Sequence, residues 1–158
     1  MAACANPQAL IEQISDEHIT ASSYYSNWAS HAPVRSRFST VDDGNGEGAW
    51  VSWQEDTNQW IQADFLVAKS VVKVATKGRN GSMSMWVTKY QLKYGLSSNE
   101  ADFEYVATSG GDVITFNGNS DRDTIVENEF SMIFAQVIRL CPTEWDSRIA
   151  LRWEVYGC

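Results

Sequence analysis

The stretch "AWVSWQEDTNQWIQADF", residues 49–65, decides the fold. At its end, "WIQADF" alternates, with Ile61, Ala63 and Phe65 on one side of an extended chain. That is the period-two pattern of a strand with one buried face. Before it, residues 54–59 are wholly polar and read as a loop between two strands. Three tryptophans punctuate this arrangement. Trp50 follows Ala49 at a strand end and Trp60 opens the alternating strand, so both are assigned to packing. Trp53 has the opposite parity and sits in the polar stretch, which makes it the ring free to face outward.

The same grammar runs through the chain. "VVKVATKG" alternates through Val72, Val74 and Thr76. "WVTKYQLKYG" sets Val87, Lys89, Gln91 and Lys93 against Trp86, Thr88, Tyr90, Leu92 and Tyr94. "FEYVAT", "VITFNG", "TIVENEF", "AQVIRL" and "IALRWEVYG" follow, separated by "DDGNGEG", "GRNGSM", "LSSNEAD" and "TSGGD", which are all turn chemistry. Only "NPQALIEQI" at 6–14 suggests a turn of helix. Many short strands, regularly interrupted and with little helix, predict an all-β sandwich or barrel. At 158 residues, with no repeat or linker, residues 1–158 make one domain.

Composition excludes several function classes. The formal net charge of −8 opposes nucleic-acid binding, because phosphates need a basic surface. It weighs more weakly against an anionic membrane surface. No apolar run is long enough to span a bilayer, and "MAACANPQALIEQ" lacks the basic start and apolar stretch of a secretory signal. Only two histidines exist, His18 and His31, and no nucleophile, zinc-protease or phosphate-loop motif is present, so an enzyme is not expected. Three cysteines are present. A bridge between Cys4 and Cys158 would close almost the whole chain, with an upper value of roughly 5 kcal/mol in the chain-entropy model, and would imply an oxidising compartment. Cys141, in a strand pattern, reads as a free, buried thiol, although an odd cysteine leaves intermolecular pairing open.

"ITASS" (19–23), "AW" (49–50), "QWIQADF" (59–65), "VATKGR" (74–79), "WVTKYQLKY" (86–94), "FNGNSD" (116–121), "VIRLCPTEW" (137–145) and "IALRWEVYGC" (149–158) carry a resemblance. In this order, the chain resembles the discoidin, or coagulation factor V/VIII type C, domain family. The resemblance implies an eight-stranded antiparallel jelly-roll β-sandwich of the galactose-binding type. It also implies terminal cysteines that pair, and ligand loops projecting together from one end. Two departures stand out: Cys141 replaces an aliphatic or aromatic residue, and Glu55 and Asp56 stand where membrane-binding members more often carry basic or neutral residues.

Three loops supply the candidate site. "ASSYYSNWASHAPVR" offers Tyr24, Tyr25, Trp28 and His31; the second loop offers Trp53 and Asp56; "KGRNGSMSMW" offers Arg79, Asn80, Met83 and Met85. The plainer reading of Tyr24, Tyr25 and Met85 is that they cover the end of the sandwich. If the loops converge, the rim suits a sugar: a pyranose stacks its apolar face on a ring, while its hydroxyls need the directional partners that Arg79, Asp56, Asn80 and His31 provide. Galactose-type glycan recognition in extracellular cell adhesion is therefore the leading expectation. The alternatives are peripheral binding of a phospholipid headgroup such as phosphatidylserine, with Trp28, Trp53 and Met83 inserting into the membrane, and adhesion to a protein receptor. Weak single sites gain strength through homo-oligomers or tandem copies. Carbohydrate-binding relatives of the fold hold a structural calcium ion through a "DGN" loop and a late glutamate, which here correspond to Asp43, Gly44, Asn45 and Glu154. "NGS" at 80–82 is an N-glycosylation sequon whose occupancy would crowd the rim.

Overall fold

The computed structural model describes residues 3–158. Nine strands run in chain order: β1 (Gln8–Ala9), β2 (Ile19–Ala21), β3 (Trp50–Val51), β4 (Ile61–Lys77), β5 (Trp86–Gly95), β6 (Glu104–Tyr105), β7 (Phe116–Asn117), β8 (Val126–Asp146) and β9 (Ala150–Gly157). Short 3-10 turns are the only helical structure among the described residues. The eight strands expected are nine here, and four of them are only two residues long.

Hydrogen bonding follows the order β1-β9-β4-β8-β5-β6, with β2 on β4, β3 on β9 and β7 on β5, and every strand pair is antiparallel. Two long strands turn this ladder into two layers. Residues 61–64 of β4 pair with 137–140 of β8, which also pairs with β5; residues 71–77 of β4 pair with β9. Between these halves the register shifts after Asp64, and Leu66 adopts a left-handed φ of 67°. A bulge of this kind increases twist and bends the strand, so β4 and β8 pass from one layer to the other. The core fills the space between: Ile61, Ala63 and Phe65 stand beside Leu92, Ile138 and Leu140 of the neighbouring strands and join Leu151, Trp153 and Val155 in one cluster.

The bulges also correct two expectations. A second register shift in β4 lies between Val71 and Lys73, so Val71 and Val74 are buried and Val72 is not. In β5, shifts on either side of Lys89 put Val87 into the core with Tyr90 and Leu92, although strict alternation placed Val87 on the opposite face. One extra residue reverses the parity of everything beyond it.

At the bend, Ser70 exchanges backbone bonds with Cys158, and Cys158 is joined to Cys4 across a sequence separation of 154. Cys4 and Cys158 therefore lie at the bend of β4, away from the loops that precede Ile61 and follow Lys77. Cys141 is free and half-buried, and burial pushes its thiol up to about 11.

β9 is buried on both faces. On its outward side Arg152 and Glu154 are charged, and both are satisfied. The Arg152 guanidinium donates to the carbonyls of Gly78 (2.9 Å), Thr40 (2.9 Å) and Arg122 (2.8 Å) and to the Asp123 carboxylate (2.8 Å). Replacing it with methionine, Arg152→Met, should lower unfolding stability by about 3 kcal/mol in a urea titration, because three loop carbonyls and a carboxylate lose their donor together.

Candidate functional site

The loop end of the sandwich gathers a cluster of rings. Tyr25 is its centre: the ring centroids of Trp28, His31 and Trp53 lie 5.5, 5.1 and 5.2 Å away, and both tryptophans approach edge-on. Edge-to-face contacts at this spacing are favourable for aromatic pairs. Trp28 and Trp53 remain 57% and 45% exposed, so each ring is held by neighbours yet open to solvent. Trp50, by contrast, is fully buried, with its indole N–H donating to the Ser23 carbonyl at 2.9 Å. Trp60 is half-buried beneath the Arg139 guanidinium. The three tryptophans of residues 49–65 thus divide as the sequence implied, two packing and one facing out.

Below the rings lies a polar floor that links the first and third loops. The Glu47 carboxylate bonds to Arg79 and stands 3.9 Å from His31 Nε2, and Glu47 N donates to the Ser30 carbonyl at 2.9 Å. His31 and Arg79 are both buried. Arg79 also packs its guanidinium on the Met85 sulfur at 3.3 Å, and its Nε has no protein acceptor. The loops can approach this closely because Gly48 has no side chain: a Cβ there would meet the Asn80 carbonyl oxygen at 2.0 Å. Burial holds His31 below the ordinary histidine range, with the Glu47 carboxylate opposing that effect.

Residues 18–155 match the model of the F5/8 type C domain. The chain belongs to this family. Retinoschisin of Takifugu rubripes is 37% identical over 149 residues, covering 92% of this chain and 51% of that protein. Bovine lactadherin is 31% identical over 162 residues, covering 98% of this chain and 37% of lactadherin. Among solved structures, recombinant discoidin II of Dictyostelium discoideum superposes with a TM-score of 0.80 at 28% identity, over 96% of this chain and 59% of that one. The Clostridium perfringens module CpGH89CBM32-5, solved in complex with GalNAc-β-1,3-galactose, shares the fold at 17% identity with a TM-score of 0.63, over 95% of this chain and 99% of the module. The chain spans about half the length of the Takifugu retinoschisin and under two thirds of discoidin II.

Within this F5/8 type C domain, not every expected ligand residue reaches the rim free. Tyr24 packs against the main core, because its position before the 3-10 turn at Tyr25–Asn27 points it inward. Asp56 Oδ1 accepts from Asn58 N and from Gln59 Nε2, both at 2.9 Å, and so shapes its own loop. The Asn80 amide is used at both ends: Oδ1 accepts from Asp42 N at 2.9 Å and Nδ2 donates to Asp123 at 3.0 Å. A glycan on that nitrogen would compete with the second bond. Met83 is exposed on the third loop, while Met85 is buried in a small cluster with Ala49, Val51 and Ala150.

The sequence reading did not place Arg148, Glu47 or Glu55 at the site. Arg148 lies 4.8 Å over the Tyr25 ring, pairs with Glu55 at 3.2 Å, and donates to the Trp53 carbonyl at 3.3 Å. Glu55 in turn accepts from Ile149 N at 3.0 Å, and burial raises its pKa. The signal was the pairing of β3 with β9, Trp50 opposite Leu151 and Val51 opposite Ala150, which carries residue 148 beside residues 52–53.

The donor set does not fit the expected calcium centre. Glu154 is buried, with Oε1 accepting from Ile11 N (2.7 Å) and Val155 N (2.8 Å) and Oε2 from Glu12 N (3.1 Å). Asp43 Oδ1 accepts from Asn45 N and Gly46 N at 3.0 Å and lies 3.9 Å from the Arg35 cation, while Asn45 stays in that exposed turn. Among the described residues, no three His, Cys, Asp or Glu side chains group as metal ligands. Calcium wants several unclaimed oxygens around one centre. A thermal melt with and without EDTA should give the same midpoint; a fall of several degrees on chelation would reinstate the ion.

His31 gives a pH signature. Its folded pKa lies below that of the unfolded chain, so as pH falls below about 6.5 the unfolded state takes up a proton that the fold refuses. The stability present above that pH is lost progressively as pH falls toward the folded value. His31→Gln should therefore show a smaller drop in melting temperature between neutral and mildly acidic pH than the parent protein.

Proposed function

We propose that this domain is a noncovalent, extracellular carbohydrate-binding module that takes a galactose-type ring at the loop end. One observation carries the reading: Trp28 and Trp53 stay exposed while braced edge-on by Tyr25, beside the half-buried Glu47 carboxylate and its buried partners His31 and Arg79. Braced rings give a stacking surface that loses little entropy on binding. Arg79 Nε and Arg148 Nε are buried without protein acceptors, which leaves donor capacity beneath the rings for hydroxyl oxygens or bridging water. The Cys4–Cys158 bridge suits an oxidising compartment. Binding needs no chemistry on the ligand, and the groups at the rim act as stacking faces, donors and acceptors. Repetition of such modules, as oligomers or tandem copies, would raise avidity.

A phospholipid reading has its own support, since Trp28, Trp53 and Met83 are all exposed on the loops. The net charge of −8 and the rim carboxylates Glu47 and Glu55 favour the sugar over an anionic headgroup. Trp53→Ala should retain its melting temperature and bind immobilised galactose about tenfold more weakly or worse, as expected for loss of a central ring. The same protein should sediment poorly with phosphatidylserine vesicles. Strong sedimentation together with no retention on galactose would reverse the order of the two readings.

A further inference from the structure

A concavity of about 440 Å³ lies on the outer face of the β4–β8–β5 layer, apart from the ring cluster. That size lies within the range of small-ligand clefts. Its floor follows from the register. Gln62 pairs with Arg139, Arg139 with Lys93, and Lys93 with Tyr105, so these four side chains cross the layer in one row on one face. Cys141 and Gln91 form the next row.

Arg139 builds one wall rather than offering itself to a ligand. It is buried with its guanidinium 3.8 Å over the Trp60 ring and 5.0 Å from Phe103, its Nε donates to Gln62 Oε1 at 2.8 Å, and its Nη1 bonds to the exposed Glu100 carboxylate. Lys93 is different. Its ammonium rests 4.8 Å over the Tyr105 ring, and it makes no ion pair among the described residues. The exposed Glu100 carboxylate also lines the cleft but is bonded to Arg139, so the half-buried Lys93 is the cation left without a carboxylate of its own, which favours an anion there.

Beyond the Arg139–Glu100 pair, the polar groups lining the cleft are neutral hydrogen-bonding ones. Thr143 Oγ1 is buried with no partner, a state that calls for a ligand or water. Gln91 spends its Nε2 on Thr115 Oγ1 at 3.1 Å, which leaves its amide oxygen available, and Asn58 stands exposed at the lip. An extended acidic peptide would add along a free strand edge, but β5 is already paired with β8 on one side and with β6 and β7 on the other. We propose that this cleft is a second binding site, for a carboxylated saccharide, whose carboxylate pairs with Lys93 and whose hydroxyls bond to Thr143, Gln91 and Asn58. The site is independent of the galactose-type rim. Its thiol is no participant, since burial keeps Cys141 protonated at neutral pH.

The test is an amide-resolved NMR titration of the whole chain with trigalacturonate, with neutral galactobiose as control and an oligoglutamate peptide as competitor class. Trigalacturonate should shift the amides of Gln91, Lys93, Cys141 and Thr143 saturably at millimolar concentration. Lys93→Gln should weaken this by about tenfold, and Trp53→Ala should leave it unchanged. Asn58→Ala, at an exposed loop position, should weaken it too and serves if Lys93→Gln melts early. Shifts confined to the Trp28 and Trp53 loops, unchanged affinity in Lys93→Gln and Asn58→Ala, no shifts at all, or an equal response to oligoglutamate would each overturn the proposal. Failure of the parent protein to bind galactose, with these shifts intact, would sink the rim reading alone.

Discussion

Arg152 is the group on which the loop end depends. A guanidinium buried on the outer face of a strand is tolerable only when its donors are met, and here they are met by backbone from three separate loops. Its fourth contact, Asp123, also accepts from Asn80, whose Oδ1 in turn accepts from Asp42 N. One cation in a regular strand thereby fixes the start of the third loop and the segment leading to Glu47. The Asn80 and Arg152 donors hold the Asp123 carboxyl below the usual carboxylate range, as a carboxylate bonded on two sides should be. Two residues along the same face, Glu154 does the complementary task, gathering backbone N–H groups of the N-terminal segment. The strand reads as alternating Leu151, Trp153 and Val155 toward the core and Arg152 and Glu154 toward the loops they organise.

That division explains what was legible from sequence. Where a strand keeps its parity, as in residues 61–65, alternation named the core correctly. Where a bulge intervenes, as between Val71 and Lys73 or around Lys89, alternation named the wrong valine or the wrong face. A bulge is set by pairing with a distant strand, and no local pattern in "VVKVATKG" announces it. The overall class survived these errors because it rests on the number and spacing of strands, to which single-residue slips make no difference.

At the site, residue type was easier to read than residue duty. Aromatic side chains in polar loops marked Trp28 and Trp53 as exposed, although Tyr24 of the same loop packs against the core. Polar side chains were harder. Asn80, Asp56, Asp43 and Glu154 have the chemistry of ligand groups, yet each spends its hydrogen bonds on nearby backbone or side chains. Asn and Asp beside glycine or in turns commonly bond to backbone, and that competing use is invisible until the loop is folded. Arg148 was missed for the converse reason: its place against the Tyr25 ring comes from cross-strand pairing and not from its own neighbours.

The covalent closure of the chain has a mechanical meaning. With Cys4 joined to Cys158 beside the bend of β4, tension applied between the two ends passes through the sulfur–sulfur link and bypasses the ladder of strands. Pulling Cys4 and Cys158 apart therefore strains one covalent bond and leaves the hydrogen-bonded strands unloaded.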